Sequence, residues 1–222
     1  MVMEPTRASD GAKAVALLDA AGIDQAHIFG LSFGATLAQQ LAIEHPDRVK
    51  TLVLGSSTAG GERYLAPEPA VRNFLRRLTD LPPEEGVWAS VPYVYSATTW
   101  CNSAPLVGED IAQRLRRSLD PRSYREQHRV ARAHDAGDRL SQITAPTLVV
   151  HGEDDRILPV DNGRRLAEGI AGARFYPVPG AAHAFPTDVP ATNRELVSFL
   201  LEHSRRRPRS TATSRTERGA RA

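Results

Sequence analysis

The sequence contains only one cysteine, Cys101, in 222 residues, so it can form no internal disulfide. Zinc sites that depend on several cysteine ligands are excluded for the same reason. We expect Cys101 to be buried and unreactive, because no base or charge cluster accompanies it. No apolar run approaches the roughly 20 residues of a membrane span, and residues 14–18 are too short for a secretory signal core. These absences predict a soluble, cytoplasmic protein without a membrane partner.

The formal net charge of +2 is unevenly distributed along the chain. Residues 204–222 contain seven arginines and one glutamate, for a charge of +6, which leaves −4 on residues 1–203. The rest of this tail is mostly Ser, Thr, Gly and Ala, which cannot bury enough apolar surface to offset the entropy of ordering. We therefore expect a disordered, Arg-rich tail, and we do not expect a nucleic-acid partner.

Apolar runs typical of buried strands alternate with segments that have helical periodicity. Such alternation predicts βα units and a parallel sheet, and therefore an α/β fold. The predicted strands are residues 27–29, 49–54, 146–151 and 173–178, and the predicted helices are residues 11–21, 33–45, 161–170 and 188–203.

Residues 59–140 interrupt this alternation with prolines and helical stretches. We interpret them as a helical cap inserted over the strand ends, and refer to them as the cap segment. The chain then divides into a first core part (1–58), the cap segment, a second core part (141–203) and the tail (204–222). Four aromatic residues are concentrated at positions 87–101 of the cap segment, and they either line a substrate pocket or form the cap's own core. They are Trp88, Tyr93, Tyr95 and Trp100.

The sharpest local signal is the G-x-S-x-G pattern at residues 30–34, between a predicted strand and a predicted helix. That context is typical of a nucleophile elbow, in which a tight turn holds Ser32 in a strained conformation. We expect side chains at Gly30 or Gly34 to collide with neighbouring elements. The turn also directs the backbone N–H of Phe33 to the place where an oxyanion would form.

A serine nucleophile requires a base and an acid that orients the base. His183 follows the predicted strand 173–178, and the adjacent acids Asp154 and Asp155 follow the predicted strand 146–151. All would gather at the carboxyl edge of a parallel sheet. The residues alone do not choose between the two acids. The other six histidines are expected to be ordinary surface residues. They are His27, His45, His128, His134, His151 and His203.

Three stretches resemble the motifs of the α/β-hydrolase superfamily, and within it the capped esterases and lactonases. They are AHIFGLSFGATLAQQLAIEHPDRVKTLVL, APTLVVHGEDDRILP and PGAAHAF, and the resemblance spans residues 10–203. It implies a partial α/β-hydrolase sheet with helices on both faces, and a serine hydrolase of small carboxylic esters or lactones. It further implies Ser32, His183 and Asp155, rather than Asp154, as the catalytic residues, with Phe33 as an oxyanion donor. No metal and no cofactor are implied.

One departure from this family lies before the elbow. The family places four strands and a second oxyanion donor upstream, and Ser32 leaves no room for them. We therefore expect an incomplete oxyanion hole, a feeble hydrolase, and an uncovered sheet edge at residues 27–29 that promotes self-association. Two alternatives stay open: a non-catalytic remnant or binding module, and a haloperoxidase-like perhydrolase or C–C bond hydrolase with the same residues.

Overall fold

The computed structural model describes residues 10–78, 80–116 and 120–204 of the chain. Its centre is a parallel sheet with the strand order β1-β2-β3-β4, so the predicted α/β class is confirmed. The Arg-rich tail after Ser204 lies outside the described residues. The strands are β1 (Ala26–Leu31), β2 (Val49–Gly55), β3 (Thr147–Gly152) and β4 (Arg174–Val178).

Helices cover both faces of the sheet, because successive side chains of each strand point to opposite faces. In β2, Leu52 and Leu54 pack in one apolar cluster, whereas Val53 packs in the other. The first cluster contains residues of α1 (Asp10–Ala20), α2 (Phe33–Glu44) and α8 (Asp161–Glu168). The second contains residues of α10 (Thr192–Ser204) and α9 (Phe185–Asp188).

The predicted closing helix at 188–203 was wrong at its start. The chain instead forms the short α9, then a break at Val189–Ala191, and then α10 from Thr192. The break follows from Pro190, which lacks an N–H and disfavours helical geometry at the residue before it.

The cap segment is helical, in agreement with the sequence pattern. It has its own apolar cluster, in which Val94, Tyr95, Val107 and Ile111 are buried. Its helices are α3 (Pro69–Leu78), α4 (Pro83–Val94), α5 (Ala97–Asn102), α6 (Ala104–Arg116) and α7 (Pro121–Ala133).

The four aromatic residues between positions 87 and 101 do not line the cavity beside Ser32. Tyr95 belongs to the cap's own core, and Tyr93 stacks on Phe74. Trp88 and Trp100 are exposed. The expectation that Cys101 is buried was wrong, because its neighbourhood on the short α5 leaves it exposed.

Strand β1 lies at one edge of the described sheet and pairs only with β2 there. Phe29 on this strand is 50% exposed, which is unusual for a large apolar side chain in a parallel sheet. The self-association expected from this edge stays a prediction. None of the helices in the described part of the chain has both the length and the apolar character of a membrane span.

A one-residue turn at Ser32 connects β1 to α2. A side chain at Gly30 would collide with the backbone, since a Cβ there would lie 2.4 Å from the Gly34 carbonyl oxygen. The expected collision at Gly34 was wrong, because a Cβ at that position meets nothing within 4 Å. Only the first glycine of the pattern is therefore required by close packing.

We predict that Gly30→Ala lowers the unfolding midpoint, because the start of α2 must shift to admit the methyl group, at a cost of about 1–3 kcal/mol. Gly34→Ala is the matched control. It adds the same methyl group in open space inside a helix, where alanine is favoured over glycine by up to about 1 kcal/mol. Thermal unfolding of both variants measures the difference, and equal destabilisation would contradict this account.

Candidate active site

Loops at the carboxyl ends of three parallel strands bring the predicted site residues together. Ser32 follows β1, Asp155 follows β3 and His183 follows β4. The remaining strand, β2, also contributes, because Ser56 directly after it donates its hydroxyl hydrogen to the His183 carbonyl oxygen at 2.8 Å. All these side chains meet at one edge because the strands run in the same direction.

Ser32 has φ 54° and ψ −117°, a backbone conformation that residues other than glycine rarely adopt. It is held there by its N–H, which donates to the Gly55 carbonyl oxygen at 2.8 Å, and by the start of α2 immediately after it. Its Oγ lies 2.8 Å from His183 Nε2. The strain thus presents the hydroxyl group to the imidazole rather than to the helix.

The imidazole of His183 connects Ser32 to a buried carboxylate. His183 Nδ1 lies 2.8 Å from Asp155 Oδ2, and Asp155 is only 4% exposed. Nδ1 faces an acceptor and therefore carries the hydrogen in the neutral ring, so Nε2 is free to accept the Ser32 hydroxyl hydrogen. Of the two adjacent acids, the structure brings Asp155 to the histidine, and Asp154 is exposed.

The Asp155 carboxylate accepts further hydrogen bonds from its own loop. Its Oδ1 accepts from the N–H groups of Ile157 and Leu158, both at 2.9 Å. Burial raises the pKa of Asp155, but the charge of His183 and the hydrogen bonds from His151 and His183 more than offset it. The pKa of Asp155 is therefore lowered well below its ordinary value, and the group is ionised at neutral pH.

Sequence reasoning missed His151, which is fully buried rather than on the surface. Its Nε2 lies 3.2 Å from Asp155 Oδ2 and 2.8 Å from the Leu158 carbonyl oxygen. One signal was available in the sequence. A histidine interrupts the apolar strand β3 directly before Gly152, where an ordinary surface residue would not be expected.

The loop that carries His183 is fixed by contacts with the cap segment. The Ala184 N–H donates to the Val94 carbonyl oxygen at 2.8 Å. The carboxylate of Asp188 accepts from the Ala182 N–H at 2.7 Å and from the Ser96 N–H at 3.0 Å. These contacts tie the loop that carries His183 to the cap segment.

A cavity of about 430 Å³ opens beside Ser32, between the strand ends and the cap segment. Its core wall includes Phe33, and its cap wall includes Tyr64, Leu75 and Arg132. None of the described residues that line it is acidic. In the described part of the chain, no cluster of His, Cys, Asp or Glu has the arrangement of a metal site.

His134 is a second histidine that sequence reasoning missed, and it lines the wall of this cavity. Its Nε2 lies 3.2 Å from Oε1 of Gln39, a fully buried side chain of α2. Gln39 in turn donates to the Thr58 carbonyl oxygen at 3.2 Å. Burial and the charge of Arg139 lower the pKa of His134 to about 4, although Asp135 opposes them.

Comparisons with known proteins agree on one family. A sequence profile described as the alpha/beta hydrolase fold matches residues 12–188. The chain is 34% identical over 194 residues to the 2-hydroxy-6-oxononadienedioate/2-hydroxy-6-oxononatrienedioate hydrolase of Cupriavidus pinatubonensis. The aligned region covers 83% of this chain and 65% of that protein. RutD of Azorhizobium caulinodans, provisionally named a carbamate hydrolase, is 30% identical over 187 residues, covering 84% of this chain and 70% of RutD.

Among solved structures, Est816 is described as an N-acyl homoserine lactone degrading enzyme. It superposes with a TM-score of 0.68 at 28% identity, covering 85% of this chain and 72% of Est816. The chain thus spans between 65% and 72% of the length of these three proteins.

We predict that protonation of His134 weakens the fold as the pH falls. Because its pKa is lowered from 6.5 to about 4 in the folded state, the unfolded state binds the proton first. Its contribution to stability is therefore complete above pH 6.5 and is lost as the pH falls towards 4. Allowing for partial exposure, we expect a loss of about 1–2 kcal/mol.

The variant His134→Gln keeps an N–H donor for Gln39 but cannot titrate. Urea unfolding of both proteins at neutral pH and at pH 5 isolates the effect, since all other groups are shared. The variant should lose less stability on acidification than the parent. An equal loss in both proteins would contradict the assignment.

Proposed function

This chain belongs to the α/β-hydrolase fold family, and we propose that it is a serine hydrolase that cleaves a small carboxylic ester or lactone through an acyl-enzyme. The observation that carries the proposal is the continuous contact from Ser32 Oγ through His183 to Asp155, with both distances at 2.8 Å. Such a contact chain is the arrangement that activates a serine hydroxyl group.

In the proposed reaction, Ser32 Oγ attacks the carbonyl carbon while His183 Nε2 takes the hydroxyl proton. The C–O bond to the leaving group then breaks, and His183 returns the proton to the leaving oxygen. Water attacks the acyl-enzyme in the same way, and its hydrolysis releases the acid and regenerates Ser32. Asp155 stabilises the imidazolium formed in each half-reaction.

The N–H of Phe33 is the proposed donor to the oxyanion. Phe33 is the first residue of α2, where a backbone N–H has no partner within the helix. The positive end of the helix dipole supports the same negative charge. A preorganised donor of this kind contributes a factor of about 10²–10³ in turnover.

The cavity supports a small substrate. Its volume of about 430 Å³ lies in the range of sites for small molecules. The charged side chain of Arg132 lines it without any acidic partner among the described lining residues. This wall favours neutral or anionic substrates over cationic ones.

A second candidate function is hydrolysis of a C–C bond, and the relative from Cupriavidus pinatubonensis favours it. The 6-oxo acids in the name of that protein present a ketone rather than an ester. Water adds to the C6 carbonyl carbon, the C5–C6 bond breaks, C6 leaves as a carboxylic acid and C5 takes up a proton. The same serine and histidine serve both reactions, and the fold does not choose between them.

We predict that Ser32→Ala abolishes hydrolysis of p-nitrophenyl butyrate and labelling by a fluorophosphonate probe, because the Ser32 hydroxyl group contacts the imidazole Nε2 of His183. Mass spectrometry of the labelled protein locates the adduct. Ser90→Ala, in α4 and outside the cavity wall, is the matched control and should label normally. Labelling that survives in Ser32→Ala would refute the proposed nucleophile.

The two candidate reactions differ in their substrates. Parallel assays use p-nitrophenyl butyrate and a 2-hydroxy-6-oxohexa-2,4-dienoate, whose conjugated absorbance disappears on C–C cleavage. Turnover of the ester alone supports the ester and lactone proposal, whereas preferential turnover of the dienoate supports the second candidate. A protein that turns over neither substrate and does not react with the probe would be a non-catalytic member of the family.

A further inference from the structure

His151 is a buried titratable side chain for which the proposed reaction has no step. It lies on β3, on the face covered by α8, and none of its surface is exposed. It is not among the residues that line the cavity, so a substrate there does not reach it. A buried polar ring in the middle of a sheet is costly unless its contacts offset the loss of hydration.

The surroundings of His151 define which nitrogen carries the hydrogen. Nε2 faces two acceptors, the Leu158 carbonyl oxygen at 2.8 Å and Asp155 Oδ2 at 3.2 Å, so Nε2 must be the donor. Nδ1 is buried without a hydrogen-bond partner among the described residues. A second hydrogen on Nδ1 would be buried unsatisfied, so the geometry favours the neutral Nε2–H tautomer.

We propose that His151 is a positioning residue of the proposed serine hydrolase: its Nε2–H holds the Asp155 carboxylate in the orientation that His183 requires. This inference rests on the proposed function. Oδ2 is the oxygen that accepts from His183, and it is also the oxygen that His151 contacts. A neutral donor at this point orients the carboxylate without competing as a cation for its charge.

The other donors to Asp155 do not replace this contact. The N–H groups of Ile157 and Leu158 both bind Oδ1, so they leave Oδ2 to the two histidines. His151 bridges Oδ2 to the Leu158 carbonyl oxygen and thereby ties both ends of the carboxylate to the same loop.

Gly163 on α8 provides the space that His151 occupies. A Cβ at position 163 would lie 2.5 Å from His151 Nδ1 and 2.9 Å from its Cγ. The ring is therefore confined between α8 and the loop of residues 153–160 that carries Asp155, called here the acid loop. Any side chain at position 163 would push the ring relative to Asp155.

The other ionisable groups around this cluster are separately accounted for. On the acid loop, Glu153 and Asp154 are exposed, and the exposed Arg156 places its guanidinium over the Tyr93 ring. On α8, Asp161 pairs with Arg164 at the surface. On α9, Asp188 accepts backbone N–H groups. A change in the pH dependence of the site on replacing His151 is therefore assigned to the cluster of Asp155 and its two histidines.

The test uses the full chain and the rate of fluorophosphonate labelling from about pH 5 to about pH 9, which requires no knowledge of the substrate. His151→Leu removes the donor at similar volume, whereas His151→Gln retains an N–H near the position of Nε2. For His151→Leu we expect labelling slower by about tenfold at neutral pH, as for other losses of positioning.

The shape of the pH profile separates positioning from a purely structural role. Without the His151 donor the Asp155 carboxylate leaves the orientation that His183 requires and stabilises the imidazolium less, so the acid limb should move to lower pH by about 0.5–1 unit. His151→Gln should restore both the rate and the acid limb. A rate loss at every pH with an unmoved acid limb, or wild-type labelling in His151→Leu, would overturn the proposal.

A second perturbation keeps the proposal testable if His151→Leu does not fold. Gly163→Ala leaves His151 in place but displaces its ring, and it should move the acid limb in the same direction. Gly108→Ala, whose Cβ meets nothing within 4 Å, is the matched control. An unmoved acid limb in folded Gly163→Ala would overturn the inference. Labelling that persists in Ser32→Ala would instead refute the proposed function itself.

Discussion

The buried carboxylate of Asp155 is the interaction on which the rest of the site depends. A charge that is 4% exposed is stable only with donors on every side, and here the backbone of its own loop and two histidines supply them. Satisfying this one group therefore constrains the loop after β3, the loop after β4 and the ring of His151 together. The contact that orients His183 towards Ser32 is also one of those that satisfy the buried charge.

The sheet makes such contacts possible because its strands end at a common edge. The acid loop and the loop of residues 179–184 that carries His183, the base loop, are joined through their backbones, because the Asp154 N–H donates to the Ala181 carbonyl oxygen at 2.9 Å. Gly152 permits this approach, since a Cβ there would lie 2.2 Å from the Ala182 carbonyl oxygen. Glycine at the end of β3 is thus required by the base loop rather than by its own conformation.

The sequence predicted the fold class, the strand positions and the approach of Ser32, His183 and the acid pair Asp154 and Asp155 to one sheet edge, because each signal is local. The choice of Asp155 over Asp154 came from the family resemblance. Apolar runs mark buried strands, and a turn between a strand and a helix has few compatible residues. The interruption of β3 by His151 is visible in the sequence, but the contact of its ring with Asp155 is not, since that contact depends on the packing of α8, whose Gly163 leaves room for the ring. For a related reason the sequence did not show that Trp88, Tyr93, Tyr95 and Trp100 lie outside the cavity wall: composition does not reveal which face of a helix meets the cavity.

The cap segment and the loop that carries His183 are not independent parts. The Ala184 N–H, next to His183, donates to the end of α4, and Asp188 binds backbone N–H groups of both the base loop and the cap segment. A displacement of α4 would therefore act on the same peptide that places His183 between Ser32 and Asp155. Because the cap segment also lines the cavity, its position affects both the volume of the cavity and the position of His183.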